Sequence, residues 1–561
     1  MKKIIFFLFI LQILILNAQS RKQVSQLVDL CNVWGNLKYF HPEIATGKHN
    51  WDSIAITSIS KILNAKSNNI FGNEVDKMFE IAGTNNAQEF VIDKSRHYYT
   101  YRNINHSWIE KSKNLTTRQK EVLKFNYSHP FQGINYYAQP NPNDEGNIIT
   151  PNEKPYDEMK MPNTEYRLLG LFRFWNVINY FYPYKYATDK PWEKVIGELI
   201  PEFIKAKDIV SYHKAVLKMS ASIDDGHGGV FPFIKESVAG KFSPPFYFQL
   251  VNNKAVVTKI IGENQYKDST IVVGSVIEKI DGISVKKRLK EFWNYVPASN
   301  DGGKYRDLHS MVLNSKNSTA FLSGYNPKGK KFEVSVKLRE ANFLKEFLDF
   351  YEMTSPITSK MIDNDIAYIF ASNITKKNID SVMLPLMKTK AIILDLRNYP
   401  NTLPSYKMAD YFLSEPSFYS KQTRNDFRYP GLFIYENTNA GSSVEMVGKT
   451  NSNSYKGKLI LLVDYRTQSL PEFICLILKS YKNTFVVGSQ TSGTDGNVTR
   501  MIFPGGYKIM FSGYGIYDVN GNETQRVGIP IDIPIKIKIE NVQKKQDITL
   551  NKAIDFAKYG K

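Results

Sequence analysis

Cysteine is almost absent from this sequence: 561 residues carry two, Cys31 and Cys475. Two thiols so far apart build no disulfide framework, and both lie in apolar surroundings, where a buried free thiol is the expected state. Histidine is scarce too, at eight. No His/Cys cluster has metal-ligand spacing and no glycine-rich stretch has the form of a phosphate cradle, so neither a metal nor a cofactor is expected. Acidic residues number 54 against 73 lysines and arginines, a formal charge of +19. The lysines are scattered, however, without a basic stripe interleaved with exposed aromatics, and nucleic acid is not an expected partner. The charge implies solubility and weak attraction to anionic envelope surfaces.

Long apolar runs are confined to the start. "MKKIIFFLFILQILILNAQS" sets two lysines before an apolar stretch and then small or polar residues, the layout of a secretory signal. Residues 1–19 are therefore expected to be removed and the rest exported, to the periplasm or beyond. A retained anchor is the competing reading, because the run is near the lower limit for crossing a bilayer. No cysteine closely follows the run, so lipid attachment is unsupported, and export without disulfides fits a bacterial envelope.

What is present is ordinary globular composition, 42% hydrophobic and 13% aromatic, in a chain long enough for about three to five domains. "VWGNLKYFHPEIATGKHNW" from Val33 and "FWNVINYFYPYKYATDKPW" from Phe174 match at one offset, Trp34 with Trp175, Tyr39 with Tyr180 and Trp51 with Trp192. The match predicts a duplicated helical hairpin whose aromatics are core, a carbohydrate-binding use being the lesser reading. The fold expected is multidomain α+β. It comprises an N-terminal helical domain over 20–130, a Pro-, Asn- and Asp-rich linker over 131–163, and a second helical repeat over 164–243. A β domain follows over 244–340 and an α/β core over 341–561. Within the β domain, "IVVGSVIEKIDGISV" resembles a PDZ domain, in which amides such as those of Gly274, Ser275 and Val276 receive a peptide carboxylate. A purely structural hairpin is the alternative.

In the core, "LILLVDYRTQSLPEF" runs from a buried strand through a polar turn into a helix with Pro471 in its first turn. Ser469 stands at that junction. A serine there is commonly a helix cap; it also suits a nucleophile, with the Leu470 amide as oxyanion donor.

The order of "DDGHGGVF", the PDZ-like stretch, "LDLRNYPNT", "TQSLPEF", "GSQTSGTDGN" and "GYGIYDVNGNETQRVGIPIDI" resembles the carboxy-terminal processing and tricorn-type serine peptidases, from about Ala221 to the end. The resemblance implies a ClpP/crotonase-like core and a nucleophile at Ser469, flanked by Thr467 and Glu472. Glu472 equally suits a helix N-terminus as a favourable charge. The processing peptidases take a lysine base from a turn in which this chain has Thr494, which is no comparable base. The tricorn branch pairs serine with histidine, and His227 stands in the equivalent motif, with Asp224 and Asp225 to orient it or close its turn. The third group falls on Gln525, with Glu523 and Asp495 nearby. The second oxyanion donor falls on Asn401 or Thr402, where relatives have two glycines.

Together these imply an exported serine endopeptidase that takes protein or peptide substrates onto its PDZ-like domain and hydrolyses them through an acyl-enzyme on Ser469. The alternative is a pseudoenzyme retained as a peptide-binding scaffold in the envelope. Oligomeric state is open: "DITLNKAIDFAKYGK" reads as an amphipathic helix that packs on its own chain or on a neighbour.

Overall fold

The computed structural model describes residues 2–65, 69–93, 99–261, 270–341, 355–400, 402–435 and 446–560. It is a mixed α+β assembly. Helix α1, Lys2–Phe40, continues from the expected leader into the first aromatic segment, and Leu27, Leu30, Cys31, Trp34 and Leu37 form its buried stripe. Helix α2, Trp51–Leu63, is capped by Asn50, which accepts the Ser53 N–H. Helix α3, Thr164–Phe181, is buried on nearly all sides, as a central helix must be, and α4 spans Trp192–Lys205.

Buried indoles need partners for their N–H groups. Trp34 and Trp51 each donate to the other's carbonyl at 3.0 and 3.1 Å. Trp175 and Trp192 do the same at 3.1 Å in both directions. Both helical hairpins are thus closed by the same reciprocal latch.

Residues 131–163, read from composition as an exposed connection, are packed instead. Strands Gln139–Asn141 and Asp144–Ile149 form a hairpin, and Glu153 is buried against Lys38 and Arg173, with Arg173 Nε 2.8 Å from its Oε2. Arg173 also pairs with Asp52, which accepts the Tyr156 hydroxyl at 3.0 Å. The segment looks polar because it brings a carboxylate to cations buried by α1 and α3. Arg173→Met should therefore destabilise the helical region by about 3–5 kcal/mol, since it leaves buried Asp52 without its cation and Glu153 with Lys38 alone. A lowered urea midpoint at unchanged slope would register it.

Helix α5, Ile209–Ala221, leads through Asp224–His227 into β1, Gly229–Phe231. The β domain has β2 (Phe246–Val251), β3 (Lys254–Ile260), β4 (Val276–Ile280), helices α6 (Val285–Phe292) and α7 (Asp301–Val312), then β5 (Thr319–Tyr325) and β6 (Lys331–Lys337). Its antiparallel sheet runs β6-β5-β4-β3-β2.

The core sheet is formed by β7 (Ser359–Met361), β8 (Ile366–Phe370), β9 (Ala391–Asp395), β10 (Lys458–Val463), β11 (Thr484–Gly488) and β14 (Ile533–Pro534), in that order, parallel apart from β7. Between β10 and β11 lies α8, Leu470–Lys479. Strands buried on both faces read as continuous apolar runs. Ile392, Leu394 and Leu461 pack towards Ile474 and Leu478 of α8. Ile393, Ile460 and Leu462 pack towards Leu550 and Ala553 of α10, Ile548–Tyr559, so the final helix closes its own chain's sheet. A second antiparallel sheet sets β13 (Tyr507–Ser512) between β12 (Val498–Phe503) and β1. The short helix α9, Ile539–Gln543, crosses back to the β domain, where Ile539 and Val542 lie on Val251, Val256 and Val276. Among the described residues, no helix is long and apolar enough to cross a membrane.

Candidate active site

Loops after β9, β10 and β11 converge at the carboxyl end of the parallel strands, where open α/β sheets hold their sites. Ser469 ends the β10 loop with φ +63° and ψ −120°. An N-cap has extended backbone, whereas this is a sparsely populated region for a residue with a Cβ. The serine occupies the N-cap position of α8 in a capping-box arrangement with Glu472. Its strained backbone is held from both sides: its N–H donates to Thr494 O at 2.7 Å, and Phe473 N–H donates to its carbonyl at 2.9 Å. Thr467 fixes the approach by donating to Leu396 O at 3.1 Å.

Glu472 ties this elbow to the β11 loop. Its carboxylate accepts the Ser469 N–H at 3.2 Å, the Thr491 hydroxyl at 2.5 Å, and the Gly493 and Thr494 amides at 2.8 and 3.0 Å. Burial pushes its carboxyl up to about 7 against the pull of those donors. This is a positioning role, since all of its partners are backbone or structural hydroxyl groups.

His227 is carried to the edge of the same site by α5 and β1. Asp225, fully buried, accepts the His227 N–H at 3.0 Å, the Ser512 N–H at 2.6 Å and the Ser512 hydroxyl at 2.9 Å. Ser512 Oγ is 2.9 Å from His227 Nδ1. Because the Ser512 proton goes to Asp225, its oxygen must accept from Nδ1–H, which leaves Nε2 as the basic nitrogen. Burial holds the His227 imidazole below its ordinary range, Arg306 and Arg500 adding to the effect and Asp225 opposing it.

Among the described residues no hydrogen bond joins His227 to Ser469. Their loops are latched one residue earlier, where Gln468 Nε2 donates to Gly226 O at 3.1 Å. Arg306 holds Gln468 in turn, and it donates to Ser492 Oγ at 2.6 Å.

The other expected residues fall around this pair. Gln525 donates to Ser299 Oγ at 3.2 Å and lies 3.5 Å from Asp225 Oδ1, so it contacts the residue behind His227 and not the imidazole. Thr494 is 1% exposed and shares a 2.6 Å hydrogen bond with Ser299. A Cβ placed on Gly226 would lie 2.3 Å from its Oγ1. Glu523 is taken by Arg102 and by Tyr186, whose hydroxyl is 2.8 Å from both carboxylate oxygens. Asp224 accepts the Asp189 N–H at 2.8 Å. Asp495 is buried and accepts the Gly496 N–H at 2.7 Å; burial and the nearby Glu472 push its carboxyl well up.

On the oxyanion side, the Tyr399 hydroxyl lies near the Ser469 side chain and the Leu470 N–H, and burial pushes the Tyr399 hydroxyl above its ordinary range. Asn401 lies outside the described residues. Thr402 is exposed and its hydroxyl donates to Ile374 O at 2.8 Å. In the β domain, Gly274 N–H donates to Val257 O at 2.8 Å and Ser275 N–H to Val272 O at 2.9 Å. Val276 is paired within β4, and Gln543 Nε2 donates to Gly274 O at 3.1 Å. These amides serve the domain's own backbone here, and a carboxylate would have to exchange with those bonds.

Ser512, Ser299, Gln468 and Tyr399 were not singled out by sequence. Tyr399, in "LDLRNYPNT", and Gln468, in "TQSLPEF", nevertheless stood within stretches marked as functional. Among the described residues no group of His, Cys, Asp and Glu has the makings of a metal site.

Residues 365–535 match the model of peptidase family S41. No curated protein matches. Among solved structures, mature CPAF complexed with lactacystin is 13% identical, covers 70% of this chain and 99% of that chain, and gives a TM-score of 0.54. Mature CPAF alone is 12% identical over 70% and 96% of the two chains, with a TM-score of 0.53. The photosystem II D1 C-terminal processing protease is 14% identical over 68% and 97%, with a TM-score of 0.38.

Proposed function

From a core whose residues 365–535 carry the peptidase family S41 pattern, we propose that the protein is an exported serine endopeptidase acting through an acyl-enzyme on Ser469. The observation that carries the reading is a strained serine at a helix N-terminus, latched through Gln468 and Gly226 to a histidine whose free nitrogen is set by Ser512 and Asp225.

As the site closes on substrate, His227 Nε2 takes the Ser469 proton while Oγ attacks the scissile carbonyl, and Leu470 N–H receives the oxyanion. Asp225, acting through Ser512, stabilises the imidazolium. The same proton then goes to the leaving amine, and water, activated by His227, releases the acid. Gln525 and Ser299 position Asp225 and the Gly226 turn. The PDZ-like domain would present an extended chain or C-terminal tail to this site by adding it to a sheet edge.

The test is a fluorophosphonate probe with unstructured protein as substrate. An adduct mapped to Ser469, together with cleavage, supports the reading; a stable, well-folded chain that does neither refutes it. Sequencing the exported product should give a first residue near Gln19 or Ser20.

Catalysis needs His227 neutral. Because its folded-state pKa is depressed, the acid limb of kcat/KM should lie below the ordinary imidazole value of about 6.5. The same depression withdraws stability as pH falls below that value, since the unfolded imidazole takes up its proton first. A pH–rate profile with its acid limb at or above the ordinary value would contradict this environment.

A further inference from the structure

We propose that the cleft between α1, residues 102–113 and the start of α4 binds the C-terminal carboxylate of a short peptide with an apolar last residue, and that Lys185 receives that carboxylate. The peptide part of the inference rests on the peptidase reading above; the carboxylate part stands on the cleft itself.

The cleft has a volume of about 680 Å³, within the usual range for small-ligand sites. Among the described residues that line it are none of Ser469, His227, Asp225 and Leu470, so it is separate from the serine site.

Lys185 stands in its wall and is 7% exposed. A buried ammonium needs a counter-charge or a full set of acceptors. Other buried cations of the helical region have one or the other. Lys38 pairs with Glu153. Arg167 gives its three nitrogens to the Phe203 and Pro162 carbonyls and the Thr164 hydroxyl. Lys185 donates to Asn103 O and, at 2.9 Å, to Asn179 Oδ1, which are both neutral. Among the described residues its third N–H has no acceptor, and no carboxylate forms an ion pair with it. Asn179 lines the same cleft. Burial pushes the Lys185 ammonium down to about 7, with Glu193 opposing. An anion seated there would restore the charge and accept the third N–H.

The surrounding charges select the kind of anion. Lys111, Lys113 and Glu193 are exposed at the cleft, and Asp29 lies in its wall, accepting from Ser112 Oγ and Asn114 Nδ2 at 2.6 and 2.7 Å. The remaining charged residues of the lining are paired outside it, Arg102 with Glu523 and Asp189 with Arg526. Three lysines against two carboxylates leave one positive charge, which suits a single carboxylate. A phosphate dianion would face Asp29 and Glu193 with too few cations.

The apolar part of the lining includes Val28 and the indoles of Trp108, Trp175 and Trp192. All three indole N–H groups are already donated, to the Tyr127 hydroxyl and to the reciprocal latch. The rings therefore offer the cleft apolar surface, against which an aliphatic or aromatic side chain packs. A carboxylate beside an apolar side chain is the chemistry of a peptide's last residue, and hydrolysis at Ser469 would create one at every cut.

The experiment is calorimetric titration of the full Ser469→Ala chain, which should not turn over the probe. The probes are N-acetylalanylphenylalanine, its C-terminal amide and inorganic phosphate, and the titrations are repeated with Lys185→Gln or Lys111→Gln added. The amide should bind about 10- to 100-fold more weakly than the acid, and Lys185→Gln should weaken the acid by a similar factor, as loss of a charged hydrogen bond does. Lys111→Gln, an exposed change, should weaken it by about 2- to 5-fold and decides the matter with the amide if Lys185→Gln fails to fold.

Absence of binding, equal binding of acid and amide, or equal binding of the acid to a folded Lys185→Gln chain overturns the site. Phosphate binding more tightly than the acid overturns the carboxylate assignment. Wild type that labels with fluorophosphonate at Ser469 while the acid fails to bind loses this site and keeps the peptidase reading. Selective binding of the acid by a chain whose wild type never labels supports the carboxylate site and removes the peptidase as the source of its ligand.

Discussion

Ser469→Ala is expected to lower kcat on the order of 10⁶-fold, and adding His227→Ala to it should lower kcat no further. The two side chains act in a single proton transfer, so removing either removes the step. The substitution should be tolerated by the fold. The φ of +63° at residue 469 is imposed by backbone bonds to Thr494 and Phe473 and by Glu472, none of which uses the serine hydroxyl. Alanine meets the same backbone strain as serine, so thermal unfolding should change little while turnover disappears. What remains above the uncatalysed rate would come from the Leu470 amide and substrate positioning. A variant retaining turnover within tenfold of wild type would remove Ser469 from the chemistry and leave its strain without a catalytic purpose.

The core sheet was legible because parallel strands covered on both faces leave no polar alternation. "AIILD" and "LILLV" can hardly be anything but buried strands, and function in such sheets collects at their carboxyl ends. Ser469 was legible as a junction residue, but its positive φ was not. That conformation is imposed in part by the Thr494 carbonyl of the β11 loop, and nothing in "TQSLPEF" distinguishes it from a helix cap.

Ser512 was not legible at all. It lies 285 residues from His227 and meets it only because β13 pairs with β1. Gln525 was expected to hold the imidazole and instead contacts Asp225 and Ser299. Position along the chain indicated the right neighbourhood, while side-chain direction depends on tertiary packing. The same limit applies to residues 131–163. Their composition describes a loop, and only the burial of Lys38 and Arg173 shows why that loop must bring Glu153 inward. The motif resemblance set Thr494 against a lysine of the processing peptidases; in the structure its hydroxyl is 2.6 Å from Ser299 Oγ and would lie 2.3 Å from a Cβ on Gly226. A lysine placed there should disturb the turn that presents His227.

Asp225→Asn should lower kcat on the order of 10⁴-fold near neutral pH with little change in KM. The buried carboxylate accepts the His227 N–H, the Ser512 N–H and the Ser512 hydroxyl. An asparagine has one accepting oxygen for these donors. If that oxygen keeps the Ser512 N–H, the NH₂ group turns towards Ser512 Oγ and obliges the hydroxyl to accept. The Ser512 proton must then point at His227 Nδ1, which moves the imidazole proton to Nε2 and removes the base. Ser512→Ala should cost less, because it loosens the ring without forcing the wrong tautomer. Nitrogen-15 spectra of His227 separate the two cases: Asp225→Asn should show an Nε2–H imidazole, and Ser512→Ala a mixture. An Nδ1–H ring persisting in Asp225→Asn alongside lost activity would mean that Asp225 acts through its charge on the imidazolium, and not by selecting the tautomer.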